Sequence, residues 1–331
     1  MQGIDLVMDS GNGVILDAFM KARSVLEQHD HALVSVSGGG DSDCLIDLME
    51  RVKDGAGCDV TYAWFDTGLE YRATRRHLDY LEKRYGVEIL RRRAVKSIPT
   101  CVREYGQPFV SKYVSAHIER LQKVGFGWTD EPMAALIERY PEQTSAIRWW
   151  CDGWTRIPGK PGWFDIGRFT LLKEFMAENP PWFRISNKCC NFTKKKVAKA
   201  LHKELGTDLD VVGVRKAEGG QRSVKNKCFY KKEGMADMYH PLFWFSDSDK
   251  KQYEGMFGIK HSDCYEVWGF KRTGCVGCPY GRNVFWELDT ADAFEPNLTK
   301  ACRNVFKDAY EYTRMYHEFK ESHKNQMRLE F

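Results

Sequence analysis

The sequence predicts an α/β protein built on a doubly wound parallel sheet. Within the first 90 residues, short apolar segments rich in β-branched residues alternate with segments of helical spacing, which is typical of parallel strands covered by helices on both faces. The alternation resumes near residue 194, after a long stretch rich in aromatic residues and prolines. We therefore expect a sheet assembled from two separated parts of the chain, with an inserted aromatic-rich subdomain and a C-terminal helical region.

Glycines mark the ends of several predicted elements. Gly55, Gly57, Gly86 and Gly206 each follow a segment of helical spacing and stop it before the next strand. In chain order, the predicted elements are a helix over 14–28, a strand over 31–36, a helix over 42–53, a strand over 60–65, a helix over 71–85, a strand over 87–90, a helix over 194–205, a strand over 209–214 and a final amphipathic helix over 299–324.

These patterns divide the chain into four expected parts. They are the N-terminal half of the α/β domain at 1–104, an aromatic-rich insertion or lid at 105–185, the second half of the α/β domain at 186–285, and a C-terminal helical tail at 286–331. The tryptophans of the insertion have two interpretations. They fill a small helical core, which we favour, or they stack on bases as in proteins that bind single strands. In the second case phosphates would be neutralised by Arg148, Arg156, Lys160 and Arg168.

Hydropathy and charge narrow the class of protein. No segment approaches the roughly 18 consecutive apolar residues of a membrane helix, and Asp5, Asp9 and Asp17 stand where a signal peptide would be basic or apolar. We therefore expect a cytoplasmic protein with no membrane partner.

The net charge of +4 is too small to indicate a nucleic-acid partner by itself. The 11 cysteines, an odd number, favour metal or redox chemistry over a disulfide framework.

A glycine-rich loop, Ser37-Gly38-Gly39-Gly40-Asp41-Ser42, joins the first predicted strand to the helix that follows it. At such a junction, successive backbone N–H groups and a helix N-terminus converge on one point, which suits a phosphate or pyrophosphate. The serines add hydroxyl donors, and Asp41 would serve as a helix cap or as a ligand for Mg²⁺. The loop therefore predicts a nucleotide site, and a tight glycine turn without a ligand is the alternative.

Three segments resemble those of known families. The loop resembles the SGGxDS pyrophosphate loop of the ATP pyrophosphatase superfamily, in which Gly40 occupies a variable position that is often lysine in relatives. The segment 66–70 resembles the DTGxE segment of the phosphoadenylyl-sulfate and adenylyl-sulfate reductases, and 213–222 resembles their GxRxxES...R segment. A carboxylate after the second strand belongs at the nucleotide crevice of a doubly wound sheet, and arginines can pair with phosphate or sulfate oxygens. Taken singly, Asp66 could instead be a turn former and each arginine a surface charge.

The resemblance implies a set of site residues. The implied nucleotide-binding residues are Ser37, Gly38, Gly39, Gly40, Asp41, Ser42, Asp66, Thr67, Gly68, Glu70, Gly213 and Arg215. The implied catalytic residues are Asp41, Asp66, Arg215 and Arg222.

Four cysteines form the second candidate site. Cys189 and Cys190 are adjacent, and Cys275 and Cys278 form a CxxC pair. Structural zinc sites usually draw each ligand pair from spaced cysteines, whereas vicinal cysteines suit a [4Fe–4S] cluster better. We expect the cluster, with zinc or no metal as alternatives. The pattern is similar to the cysteine set of adenylyl-sulfate reductases and of the iron–sulfur sulfurtransferases of DNA phosphorothioation.

The family resemblance leaves more than one reaction open. Its sulfonucleotide reductases use a cysteine in a C-terminal tail, whereas the last cysteine of this sequence is Cys302. We therefore expect ATP with Mg²⁺ as the nucleotide, and an adenylating sulfurtransferase as the activity. Adenylyl sulfate or phosphoadenylyl sulfate is the alternative nucleotide, and a nucleotide sensor without turnover is the alternative class. A nucleic-acid or protein partner is compatible with each of these, and the oligomeric state stays open.

Overall fold

The computed structural model describes residues 1–155, 157, 160–219 and 222–329, with side chains as far as His323. Arg156, one of the basic residues of the expected insertion, lies outside this set. Among the described residues, six strands form one sheet. The strands are β1 (His31–Ser35), β2 (Asp59–Asp66), β3 (Ile89–Arg93), β4 (Leu209–Val212), β5 (Phe229–Tyr230) and β6 (Asp237–Tyr239).

The order of the strands is β3-β2-β1-β4-β6-β5. β1 pairs in parallel with β2 on one side and with β4 on the other, and the β2–β3 and β4–β6 pairs are also parallel. The short strand β5 runs antiparallel to β6. The predicted parallel α/β sheet is therefore confirmed, and β1 lies at the point where the strand order changes direction.

The helices lie before, between and after the strands in the chain. In chain order they are α1 (Ile4–Asp9), α2 (Gly13–Leu26), α3 (Gly40–Lys53), α4 (Arg72–Tyr85), α5 (Ile98–Tyr105), α6 (Lys112–Lys123), α7 (Met133–Arg139), α8 (Thr144–Trp150), α9 (Leu172–Glu178), α10 (Lys188–Cys190), α11 (Lys196–Leu205), α12 (Asp247–Phe257), α13 (Asp263–Glu266), α14 (Val284–Asp292), α15 (Pro296–Val305) and α16 (Lys307–Leu329). No helix in the described part of the chain is long and apolar enough to cross a membrane.

The chain divides into two compact units. The first contains Met1–Val95 and Phe192–Val276, and the second contains Lys96–Asn191 and Gly277–Phe331. In the first unit, Ala32 and Val34 of β1 enter the main core, whereas Leu33 enters a smaller cluster on the other face of the sheet with Leu201 of α11. Because side chains alternate along a strand, burial on both faces follows from helices on both sides of the sheet.

The second unit has a core rich in aromatic side chains. Trp149 and Trp150 of α8 are fully buried, and the indole N–H of Trp150 donates to the carbonyl of Thr129 at 2.8 Å. Tyr312 and Tyr316 of α16 pack into the same cluster, so the insertion and the C-terminal helix share one core. Burying an aromatic ring removes a large apolar area from water, which explains why a chain segment interrupted by prolines still folds compactly.

The boundaries of several elements differ from those predicted. β3 is shifted to Ile89–Arg93 and includes three charged residues, because pairing with β2 rather than hydropathy sets its extent. α11 is preceded by a π-helical turn at Asn191–Lys195. The prediction of a single C-terminal helix is wrong. The structure has two helices there, α15 and α16, which are separated at Phe306, whose ring is buried.

Replacing Trp149 by alanine should lower the free energy of unfolding by roughly 3–5 kcal/mol, because a fully buried ring leaves a large cavity. The matched control is Trp154→Ala, since Trp154 is 40% exposed and its loss should cost under about 0.5 kcal/mol. Urea unfolding of both variants measures the difference. Equal small losses would contradict the assignment of the tryptophans to a core.

Candidate functional site

The candidate site lies at the carboxyl ends of β1 and β4. In an open α/β sheet, ligands bind where neighbouring strands are followed by connections to opposite sides, and β1 and β4 form such a pair here. The glycine loop follows β1, and the segment from Gly213 follows β4. A side chain at Gly213 would approach the carbonyl oxygen of Asp41 to 3.2 Å, so the two segments are in close contact.

The glycine loop is closed by its own hydrogen bonds. Gly38 has a φ of 70°, and a side chain there would collide with Thr74 of α4, so this position requires glycine. The hydroxyl of Ser42 donates to the carbonyl of Gly39 at 2.8 Å and accepts from the backbone N–H of Gly39 at 3.1 Å. Ser37 donates to the hydroxyl of Ser42 at 3.2 Å. These bonds hold the backbone at the N-terminus of α3, where anions are favoured.

Asp41 binds two cations through one oxygen. Arg215 donates from Nε to Asp41 Oδ1 at 2.9 Å, and the ammonium of Lys250 lies 3.0 Å from the same atom. Arg215 is buried and also pairs with Asp247 at 2.9 Å. Burial alone lowers the pKa of Arg215, but Asp41 and Asp247 outweigh it and leave the pKa above its ordinary value. The loop therefore faces two fixed positive charges, which favour an anionic ligand.

A series of contacting ionisable side chains connects Lys250 to Asp43. Its ammonium lies 3.4 Å from Glu254, which accepts from Nε2 of His261 at 2.9 Å. Nδ1 of His261 lies 2.7 Å from a carboxylate oxygen of the fully buried Asp43. Burial lowers the pKa of His261, but the two carboxylates raise it to about 9, so His261 is positively charged at neutral pH. His77 lies 3.0 Å from the other oxygen of Asp43.

Sequence reasoning missed Lys250, His261 and Tyr265. The backbone N–H of Gly40 bonds to the Tyr265 hydroxyl, and that hydroxyl also accepts from the backbone N–H of Thr273 at 3.0 Å. The spacing of Lys250 and Glu254 by one helical turn was the available signal, and it is also the spacing of an ordinary surface ion pair. His261 and Tyr265 gave no such signal, because their partners at the start of α3 are distant in sequence.

The segment 66–70 forms a turn of its own after β2. Asp66 accepts from the backbone N–H of Gly68 at 2.9 Å and pairs with Arg75 at 2.9 Å, which is the behaviour of a turn-forming aspartate. Thr67 donates to the carboxylate of Glu70 at 2.6 Å. Burial raises the pKa of Glu70 to about 7, against the Thr67 hydrogen bond and the charge of Lys194, which lower it.

Arg222 is connected to the site through the carboxylate of Glu218. It pairs with Glu218, whose second oxygen accepts from the backbone N–H of Arg215 at 3.2 Å. Arg272 lies 3.7 Å from Glu218 as well. The structure thus connects Arg222 to Arg215 by way of Glu218, whereas Arg215 contacts the glycine loop directly. The roles of both arginines toward a ligand stay predictions.

Three of the four predicted cluster cysteines lie in the second unit. Burial raises the pKa of the Tyr280 phenol, and electrostatic interaction with Cys189, Cys190 and Cys278 adds to the rise, so these three cysteines lie near the phenol. Cys275 belongs to the first unit. Thiolate donors suit iron and zinc alike. In the described ranges, however, no group of three or more His, Cys, Asp or Glu side chains is arranged to hold a metal ion.

Comparison with known proteins gives a match to a family. Residues 31–135 match the sequence model of the phosphoadenosine phosphosulfate reductase domain, a range that includes the glycine loop and the segment 66–70. The resemblance predicted from these motifs is therefore confirmed. The chain is also 30% identical over 112 residues to an uncharacterised protein of Methanocaldococcus jannaschii. The aligned region covers 32% of this chain and 22% of that relative, so the chain spans well under two thirds of the relative's length.

Three solved structures show a distant likeness. A phosphoadenylyl-sulfate reductase from Candida auris in a phosphate complex has 12% identity and a TM-score of 0.39, covering 74% of this chain and 80% of that one. The U34-tRNA thiolase NcsA from Methanococcus maripaludis with its [4Fe–4S] cluster has 13% identity and a TM-score of 0.38, covering 92% and 80%. An NH3-dependent NAD synthetase from Campylobacter jejuni has 10% identity and a TM-score of 0.31, covering 90% and 96%. At these TM-scores the likenesses settle nothing about this chain.

Stability should fall as the pH rises through the range in which Glu70 titrates. The folded pKa of about 7 lies above the ordinary value of 4.5, so between these values the folded state keeps a proton that the unfolded chain loses. Glu70→Gln does not titrate. The free energy of unfolding of the wild type relative to this variant should therefore drop by on the order of 2 kcal/mol between pH 4.5 and pH 8.

Urea unfolding at several pH values measures this drop. Glu88→Gln is the matched control, because the side chain of Glu88 is exposed and its removal should leave the pH dependence unchanged. A difference between wild type and Glu70→Gln that is constant with pH would contradict the raised pKa of the partly buried Glu70.

Proposed function

We propose that the protein binds ATP at the glycine loop and uses it to adenylate an acceptor for sulfur transfer. The match of residues 31–135 to the phosphoadenosine phosphosulfate reductase domain supports the nucleotide site. The observation that carries the proposal is the pairing of Asp41 with Arg215 and Lys250 beside the loop. Two cations and a helix N-terminus at one point favour a ligand with several phosphate charges.

The proposed chemistry has two steps. An acceptor oxygen attacks the α-phosphorus of ATP, the bond from that phosphorus to the bridging oxygen breaks, and pyrophosphate leaves. A sulfur nucleophile then replaces the adenylyl oxygen on the acceptor, and AMP leaves. The chain contributes the loop backbone, which orients the phosphates, and Arg215, which neutralises charge on them and on the leaving pyrophosphate. Arg222 acts through Glu218, which fixes the backbone at Arg215.

Magnesium fits the donor set at the loop. Mg²⁺ is usually held by one or two carboxylates together with substrate phosphates, and Asp41 supplies such a carboxylate at the first turn of α3. When bound, the ion would offset phosphate charge. Asp66 is the second predicted carboxylate, and its bonds to Gly68 and Arg75 support a role in shaping the turn that carries Glu70.

The proposed iron–sulfur centre uses Cys189, Cys190, Cys275 and Cys278. Its support is the number and kind of donors and the nearness of three of them to Tyr280. The positions of the described side chains do not by themselves form a metal site, and no step above depends on the centre. When bound, a cluster would supply a site that holds or activates sulfur.

Sulfonucleotide reduction is the second candidate function, because the matched domain is that of a phosphoadenosine phosphosulfate reductase. The two candidates use the same nucleotide crevice and differ in the bond that breaks: a phosphorus–oxygen bond in ATP, or the sulfur–oxygen bond that yields sulfite. A nucleotide-binding sensor, which would leave its nucleotide intact, is the third outcome that the assay below distinguishes. An accessory role of this kind would also imply a protein partner.

Turnover of α-³²P-ATP by anaerobically purified protein, with and without nucleic acid, tests the proposal. We expect labelled AMP and pyrophosphate, and Arg215→Gln should weaken ATP binding roughly 10- to 100-fold because a charge-assisted bond is lost. Arg139→Gln, which removes a surface pair with Glu131, is the matched control. Sulfite from adenylyl sulfate without release of pyrophosphate from ATP would favour the reductase, and intact bound nucleotide would favour the sensor.

Anaerobic purification also tests the iron–sulfur centre. We expect brown protein absorbing near about 400 nm with roughly four irons per chain, and Cys278→Ser should lose most of that absorbance. Cys58→Ser is the matched control, because Cys58 is a partly buried thiol in the first unit whose pKa burial raises to about 11. Colourless protein with one zinc per chain would refute the cluster.

A further inference from the structure

Gly40 leaves a space at the start of α3 that a residue from another helix fills. A side chain built at Gly40 would place its first carbon 2.7 Å from the ammonium of Lys250 and 3.4 Å from the ring of His261. Contacts below 3.0 Å essentially never occur, so the ammonium of Lys250 occupies the place where a residue at position 40 would put its own side chain. The glycine loop therefore receives its amino group from α12.

Lys250 is held in that place as a cation. Its side chain is 19% exposed, and its ammonium contacts Asp41 at 3.0 Å and Glu254 at 3.4 Å. Burial lowers the pKa of Lys250, but Asp41 outweighs this effect and raises the pKa above its ordinary value. A lysine on a flexible side chain would otherwise spread over many rotamers, and these two carboxylates offset part of that entropy.

The support beneath Lys250 is itself anchored in the core. The Glu254 oxygen that faces Lys250 also accepts from Nε2 of His261, and His261 is bound by Asp43, which is fully buried at the first turn of α3. Helix α3 is therefore connected to Lys250 in two ways. Asp41 binds the Lys250 ammonium directly, and Asp43 is connected to it through His261 and Glu254. A shift of α12 relative to α3 would break both contacts.

We propose that Lys250 is a phosphate-binding residue of this site, and that it contacts the β- and γ-phosphates of the nucleotide from α12 in place of a side chain on the loop. The inference rests on the proposed function, since it presumes an adenosine nucleotide at the loop. It assigns Lys250 to the phosphates beyond the α-phosphate, because its ammonium stands over the first residue of α3, where the proposed function places those phosphates.

Binding of AMP and ATP to Lys250→Gln tests the assignment. With Mg²⁺ present, the variant should bind ATP roughly 10- to 100-fold more weakly than the wild type and AMP within about threefold of it, because AMP has no β- or γ-phosphate. Lys251→Gln is the matched control: Lys251 is the next residue of α12 and is exposed. Equal losses of ATP and AMP affinity in a Lys250→Gln variant that unfolds in urea like the wild type would show that Lys250 does not act on the β- and γ-phosphates, and the assignment would then be wrong.

An exchange of the two positions gives a second, independent test. Gly40→Lys alone should weaken ATP binding, because two ammonium groups compete for one place. Gly40→Lys combined with Lys250→Ala should restore ATP affinity to within about fivefold of the wild type, since the loop then carries its own amino group. If this double variant unfolds in urea like the wild type but does not recover ATP affinity, Lys250 does not act in place of a side chain on the loop.

These outcomes separate the inference from the proposed function. If the wild-type protein binds neither ATP nor any other adenosine nucleotide, the proposed function fails before Lys250 is at issue. If the wild type binds ATP and Lys250→Gln binds it as tightly as Lys251→Gln does, the proposed function stands and the role of Lys250 is refuted.

Discussion

The rest of the site depends on the carboxylate of Asp41. One of its oxygens binds Arg215 from the segment after β4 and Lys250 from α12, so this single group joins three parts of the first unit. Two fixed cations beside a helix N-terminus would repel each other without a shared anion. Asp41 supplies that anion and holds both cations beside the loop.

The topology of the sheet explains why these groups meet. Arg215 and Asp41 are 174 positions apart, yet β1 and β4 are hydrogen-bonded neighbours. Because both strands are parallel, the segments that follow them emerge at the same edge of the sheet. The pairing of β1 with β4 therefore brings the glycine loop and Arg215 together, and the long segment between the two halves of the sheet forms a separate unit with its own core.

The second unit assigns different roles to its tryptophans. Trp149 and Trp150 are fully buried and fill the core, as the favoured interpretation of the sequence held. Trp154 and Trp163 are exposed, and Arg168 lies 3.2 Å from the centre of the Trp163 ring. Base stacking therefore stays a prediction for the exposed rings, which also include Trp182. A buried ring cannot reach a base, whatever the charge of its neighbours.

The sequence alone determined the fold class, the position of the glycine loop and the resemblance to the phosphoadenosine phosphosulfate reductase domain, because strand hydropathy, glycine spacing and short motifs are local properties of the chain. It also identified Arg215, which adjoins a recognisable motif. The position of Lys250 over Gly40, the link through His261 to the buried Asp43, and the division of C-terminal helix α16 from α15 were decided only by tertiary structure. These features depend on contacts between segments that are distant in sequence, and a single isolated lysine or histidine carries no local pattern that distinguishes it from a surface charge.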